Sequence, residues 1–211
     1  MASIIVIGGT GYAGSHIVTE AARRGHRVNS ISRTLPEQQI SGVTYHAGDL
    51  TQEMPDLSGA DVVVAALSPR GSNAGALRPA YDALADAAAK VGVRFVAIGG
   101  FSSLRPVEGA PRFADGVDIP PEFAAEALEM NAILTDLLAS GSTGDWLFVS
   151  PAAEFGSYVP GERLGHYRTS GDVALFDESG KSAISGEDFA AAILDEVETP
   201  TVRRGQIHFA Y

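Results

Sequence analysis

The apolar run Ile4-Ile5-Val6-Ile7 breaks without a spacer into Gly8-Gly9-Thr10-Gly11-Tyr12-Ala13-Gly14, and behind it Ile17, Val18, Ala21 and Ala22 recur at helical spacing up to Gly25. Strand, glycine turn and helix in that order restrict the fold to few choices. The glycines satisfy G-x-G-x-x-G through Gly9, Gly11 and Gly14, and G-x-x-G-x-x-G through Gly8, Gly11 and Gly14. They serve three physical ends, namely a tight turn, close approach of backbone N–H groups to a pyrophosphate, and close packing of helix on strand. The helix N-terminus adds free donors and partial positive charge. The turn therefore predicts a dinucleotide phosphate held by Gly8, Thr10, Gly11, Tyr12, Ala13 and Gly14.

With 211 residues, 45% of them hydrophobic, the chain suffices for one well-buried α/β domain, and a single domain over 1–211 is expected. A net charge of -11 argues against a nucleic-acid partner, so an anionic ligand must be held by local dipoles and a few arginines. The absence of cysteine excludes disulfides, thiolate nucleophiles and cysteine metal sites. The five histidines show no metal spacing, and no metal is expected. The short N-terminal apolar run lacks a basic leader, and no stretch approaches membrane-spanning length. The expectation is a soluble cytoplasmic protein, monomer or homodimer, with a small-molecule partner.

Further strands are expected at 27–32, 43–46, 60–67, 94–98 and 146–149, with helices marked by Leu77, Tyr81, Leu84, Ala88 and Val91 and by Phe123, Ala127, Leu134, Leu137 and Leu138. That rhythm predicts βαβ units in a doubly wound parallel sheet of Rossmann type, strand order 3-2-1-4-5-6, with ligands at the carboxyl ends of the strands. Past Pro151 the pattern loosens, then gives a helix at 187–197 and a strand near 207–209. Residues from about 151 are expected to form a small substrate-side cap. The loop 104–121, rich in proline and glycine, is read as a lid.

An acidic residue about 20 positions past the glycine motif holds the ribose 2′-hydroxyl in NAD-preferring folds. Here the second strand ends instead in Ser32-Arg33-Thr34, where an arginine suits the 2′-phosphate of NADP; the alternative is a solvated loop arginine. NADP(H) is thus favoured over NAD(H). Asp49 and Leu50, after the third strand, suit an adenine amino group and ring, while an N-cap role accounts for Asp49 equally well. Ala66, Leu67 and Ser68 let a ribose lie against backbone or simply pack.

These segments, with Gly99-Gly100-Phe101-Ser102-Ser103-Leu104, Asp145-Trp146-Leu147-Phe148-Val149-Ser150-Pro151-Ala152 and Ile184-Ser185-Gly186-Glu187-Asp188-Phe189-Ala190, resemble the atypical short-chain dehydrogenase/reductase superfamily. Within it the chain is similar to bacterial NAD(P)H-flavin reductase-like proteins, related to NmrA-like proteins and biliverdin reductase B. The resemblance covers essentially the whole chain, and the segment Pro160-Gly161-Glu162-Arg163 is among its more specific parts. It implies that Gly99, Gly100, Pro151, Ala152 and Phe155 border the nicotinamide. Phe101 and Phe113 supply an apolar wall for a flat ring, and His166 lines the substrate side.

The departures bear on mechanism. Most of the superfamily uses a Tyr-x-x-x-Lys pair, in which the lysine lowers the tyrosine pKa for proton transfer. The two lysines here, Lys90 and Lys181, are preceded four positions back by Asp86 and Asp177, so the pair is impossible; its place in the long helix is held by Phe123 and Ala127. The histidine expected after the sixth-strand proline is replaced by Ala152-Ala153-Glu154. Ser103 is the candidate catalytic hydroxyl, with a turn-stabilising role as the alternative. The resulting expectation is an NADPH-dependent reductase of a flavin- or quinone-like acceptor, flavin being a substrate. The alternative is a non-catalytic NADP(H)-binding sensor of NmrA-like type.

Overall fold

The computed structural model describes residues 1–116, 119, 121–141 and 144–211. The chain runs β1 (Ser3–Ile7), α1 (Tyr12–Arg23), β2 (Arg27–Ser32), β3 (Val43–Ala47), β4 (Val62–Ala65), α2 (Leu77–Val91), β5 (Arg94–Ile98), α3 (Pro121–Ala139), β6 (Trp146–Ser150), β7 (Arg168–Ser170), α4 (Gly186–Glu198) and β8 (Gly205–Ala210). All strands join one sheet in the order β3-β2-β1-β4-β5-β6-β8-β7, parallel except that β7 runs antiparallel to β8. The expected order 3-2-1-4-5-6 is present, extended at one edge by β8 and β7.

The alternation of side chains along each strand sends apolar residues to both faces. Ile4 and Val6 pack with Ile17, Val18 and Ala21 of α1 and with Phe189 and Ile193 of α4. Ile5 and Ile7 pack on the opposite face with Leu77, Tyr81 and Leu84 of α2 and with Met130, Ile133 and Leu134 of α3. Strands buried on both sides read as continuous apolar runs, as at Val62-Val63-Val64. Helix α2 ends at Gly92, whose φ of 73° is the left-handed closure that glycine supplies without strain. The start of α4 is capped by Ser185, whose hydroxyl accepts from the Asp188 N–H. Helices α1 and α4 are further joined by Arg24, which pairs with Glu20 at 2.8 Å and with Asp195 and Glu198 at 2.7 Å each.

Three expectations change. The fourth strand is shorter than 60–67 because Ala66, Leu67 and Ser68 turn away to line a cavity. The part beyond Pro151 divides: only its first residues border that cavity, whereas β7, α4 and β8 complete the sheet and core. The segment read as a lid is fastened up to Gly116: Arg105 N–H donates to Asp172 O at 2.7 Å, Ala174 N–H to Arg105 O at 2.9 Å, and Leu104 and Ala114 are buried. The rest of that expectation, on Val117, Asp118 and Pro120, lies outside the described residues. The connections 33–42 and 48–61, flanking β3, contain no helix.

Candidate functional site

A cavity of about 820 Å³ opens at the carboxyl ends of β1, β2, β4, β5 and β6. Its floor is the glycine turn. Gly8 has φ 84°, and a Cβ there would press into the Ala66 backbone. A Cβ on Gly14 would lie 2.8 Å from Gly8 C and 2.9 Å from Gly9 Cα, so α1 starts as close to β1 as two backbones allow. The first turn of α1 has no side-chain cap and no acidic residue, which leaves its N–H groups and positive dipole end facing the cavity. Thr10 N–H donates to Ser32 Oγ at 3.1 Å, tying the turn to the end of β2. A bare, uncapped helix start beside glycine backbone fits a pyrophosphate, and Gly8, Thr10, Gly11, Tyr12 and Ala13 border the cavity there. Gly14 serves packing and lies off the cavity wall.

At one end stand Ile31, Ser32, Arg33, Asp49 and Leu50. The Arg33 guanidinium is held at the rim by Ser72 Oγ and by Asn73 Oδ1, the latter at 3.3 Å. Asp49 Oδ1 accepts from Thr51 Oγ1 at 2.8 Å and Thr51 N–H at 2.9 Å, and these bonds, the hydroxyl's first, hold its carboxyl below the usual range. The turn-closing role of Asp49 is thus present while the residue also borders the cavity.

The other end is bounded by Gly99, Gly100, Phe101 and Ser102 after β5, and by Pro151, Ala152 and Phe155 after β6. Phe123, Glu126, Ala127 and Met130 of α3 and the exposed Tyr158 complete it. Tyr12 packs edge-on against Phe155 at 5.1 Å, and its hydroxyl donates to Pro160 O at 3.1 Å; burial raises its pKa. Glu126 is occupied by Arg70 Nε at 2.5 Å and Ser68 Oγ at 3.1 Å. Ala66, Leu67 and Ser68 lie between the two ends.

Besides Gly14, three expected residues are off the wall. Ser103 has no exposure and its Oγ is buried without a hydrogen-bond partner; Ser102 borders the cavity instead. The cause is the 3-10 turn Phe101–Ser103, which points successive side chains about 120° apart. Phe113 stacks behind Phe101 at 5.0 Å and 20°, so it supports the wall without forming it. His166 is exposed outside the cavity, its ring 5.8 Å from Tyr211. Phe123 and Ala127, read from the sequence only as standing where a tyrosine and lysine would be, share the wall with Glu126 and Met130, which were not expected there; 123, 126, 127 and 130 follow the i, i+3, i+4, i+7 spacing of one helix face. Among the described residues no group of three or more His, Asp or Glu is arranged for a metal ion.

The NAD(P)H-binding family model matches residues 8–200. The chain belongs to the NAD(P)H-binding family. An NAD(P)H-binding protein of this kind takes a nicotinamide cofactor, and the atypical short-chain dehydrogenase/reductase resemblance agrees with its relatives. The uncharacterized Bacillus subtilis protein YwnB is 34% identical over 203 residues, 92% of each chain. A provisionally assigned NADH-flavin reductase of Streptococcus pneumoniae superposes with a TM-score of 0.89 at 30% identity, covering 100% of this chain and 99% of that one. A Burkholderia pseudomallei protein described as exported superposes at 0.85 with 36% identity, all of both chains being covered. No helix among the described residues is long and apolar enough to cross a membrane.

Proposed function

We propose that this NAD(P)H-binding protein is an NADPH-dependent reductase of flat, conjugated acceptors such as flavins or quinones. The observation that carries this reading is the acceptor end of the cavity. Phe101, Phe123, Phe155 and Tyr158 wall it, and α3 presents Phe123 and Ala127 in place of a tyrosine and lysine. Aromatic walls suit a planar ring by offset stacking. When bound, the nicotinamide supplies the hydride. The chain's own residues orient and exclude water: the glycine turn fixes the pyrophosphate end, Ala152 and Pro151 restrict the opposite face, and the Phe113 stack stiffens Phe101. No lysine lies on the described wall to lower the pKa of a tyrosine there. Glu126 is ion-paired, and the Tyr12 hydroxyl is engaged with its pKa raised. A conjugated acceptor tolerates this, since its charge is delocalised and solvent protonates it.

The exposed Arg33 at the rim supports NADPH over NADH, with Ser32 beside it. The same reading has the reaction run in the cytoplasm on a small-molecule acceptor. The test is steady-state NADPH oxidation with FMN, riboflavin and a quinone, set against simple aldehydes and ketones. Turnover with the conjugated acceptors and none with the carbonyl compounds is expected, because a localised alkoxide needs a donor at the moment it forms. Tight NADPH binding without turnover of any acceptor would instead favour a sensor, and rapid aldehyde reduction would overturn the reading.

A further inference from the structure

Behind the acceptor end lies a buried polar network, off the cavity wall. Gln206 of β8 donates from Nε2 to Ser103 O at 3.2 Å and to Ser150 Oγ at 2.9 Å, while its Oε1 accepts from Arg112 at 2.8 Å. The same Arg112 nitrogen also donates to Ser103 O. Below them His208 Nδ1 lies 2.9 Å from Ser150 O. All five residues are buried. Ser103 closes the turn after β5 and Ser150 is the last residue of β6; they are the immediate neighbours of Ser102 and Pro151, which do line the cavity at its acceptor end. One carboxamide therefore ties the turn after β5 to the end of β6. Only an amide does this, because it offers a donor to two oxygens and an acceptor to an arginine at once.

Burying a guanidinium is costly, and well-packed apolar side chains would hold a strand to a turn at least as firmly. Desolvation lowers the Arg112 pKa, and the carboxylate that faces it, Asp172, is 4.0 Å away. Such a network is better accounted for by the separation it imposes than by stability. We infer that Gln206, locked in orientation by Arg112, is a positioning residue that sets the spacing between the turn after β5 and the end of β6 around the nicotinamide. The inference rests on the reading of this end as the nicotinamide and acceptor site.

Gln206→Met removes both donors and the acceptor at similar length, and Gln206→Glu keeps an acceptor for Arg112 while losing the donors to Ser103 O and Ser150 Oγ. Each is compared with the unaltered protein by titrating NADP⁺ and 2′,5′-ADP, a ligand lacking the nicotinamide half. Arg94→Met, at the far end of β5, serves as a control for general loosening. Loss of two or three buried hydrogen bonds, part of which reaches the bound ligand, predicts NADP⁺ affinity reduced roughly three- to tenfold, with 2′,5′-ADP affinity held within about twofold. In turnover, kcat falls while the KM for acceptor changes less. Arg94→Met lowers melting temperature without that split. Equal losses for both ligands, or none for either, would overturn the positioning role. If the split appears but the unaltered protein reduces no acceptor, the positioning role stands and the reductase reading falls.

Discussion

Gly14 and Gly11 occupy one turn, yet the structure assigns them different liabilities, and a pair of alanine substitutions separates them. In Gly14→Ala the new methyl overlaps the Gly8 carbonyl and lies 2.8–2.9 Å from backbone carbon atoms of Gly8 and Gly9, where neither neighbour can rotate away. Overpacking against backbone costs about 3 kcal/mol, the helix propensity of alanine returns about 1, and the net of about 2 lowers the melting temperature by roughly 4–8 °C for a chain of this size. Cofactor affinity falls too, because the helix start must move off the strand. In Gly11→Ala the backbone has φ -74°, open to any residue, and the nearest atom to the methyl is Gly8 O at 3.3 Å. Folding should change by no more than about 0.5 kcal/mol, a degree or two. The methyl stands where a phosphate must approach, so NADPH affinity drops about tenfold or more, which is about 1.4 kcal/mol. Thermal melting with and without NADPH, plus a fluorescence titration, reads both quantities. A Gly14→Ala protein that melts unchanged or higher, or a Gly11→Ala protein of normal affinity, would refute the geometry on which the site rests.

Arg33→Ala removes the rim guanidinium, and loss of a charge-assisted contact of about 1.5–3 kcal/mol predicts a ten- to hundredfold weaker NADPH with NADH nearly unaffected, measured by competitive titration. Equal affinities for the two cofactors in the unaltered protein would remove that role. Acid stability should depend on Glu20, whose carboxyl is pulled from an ordinary 4.5 to about 2 by the Arg23 hydrogen bond first and then by Arg24. A depressed carboxylate stabilises fully above its unfolded value and loses that contribution as pH falls toward the folded one. Glu20→Gln should therefore flatten the decline in melting temperature between about pH 4.5 and 2; an unchanged slope there counts against the assignment.

The sheet was legible because its signals are local. Apolar runs of strand length, helical spacings and the glycine turn each report on a handful of neighbouring residues, and six strands follow in order from them. What escaped depended on side-chain direction or on distant partners. Ser103 and Ser102 are equivalent as letters, and only the 3-10 turn decides which one meets the cavity. β7 has three residues, Arg168-Thr169-Ser170, and forms because β8 lies beside it, with no periodicity of its own. Gln206 and His208 left a faint trace: two polar residues, two positions apart and so on one face, in a strand otherwise as apolar as the core. Arg112 left none, since a proline-rich loop gives no hint that its arginine turns inward.

The connections on either side of β3 carry no helix, and this divides the protein by its tolerance of change. The acceptor end is set by turns braced through α3, β8 and buried polar contacts, so altering it disturbs the core. The end bearing Arg33 and Asp49 hangs on helix-free loops that Leu50 and Leu57 pin to the core. Substitutions and charge reversals at the exposed positions of 33–39 or 52–56 leave the packed layers untouched. Descendants of such a fold have a route to exchange one dinucleotide for another without rebuilding the opposite end of the cavity.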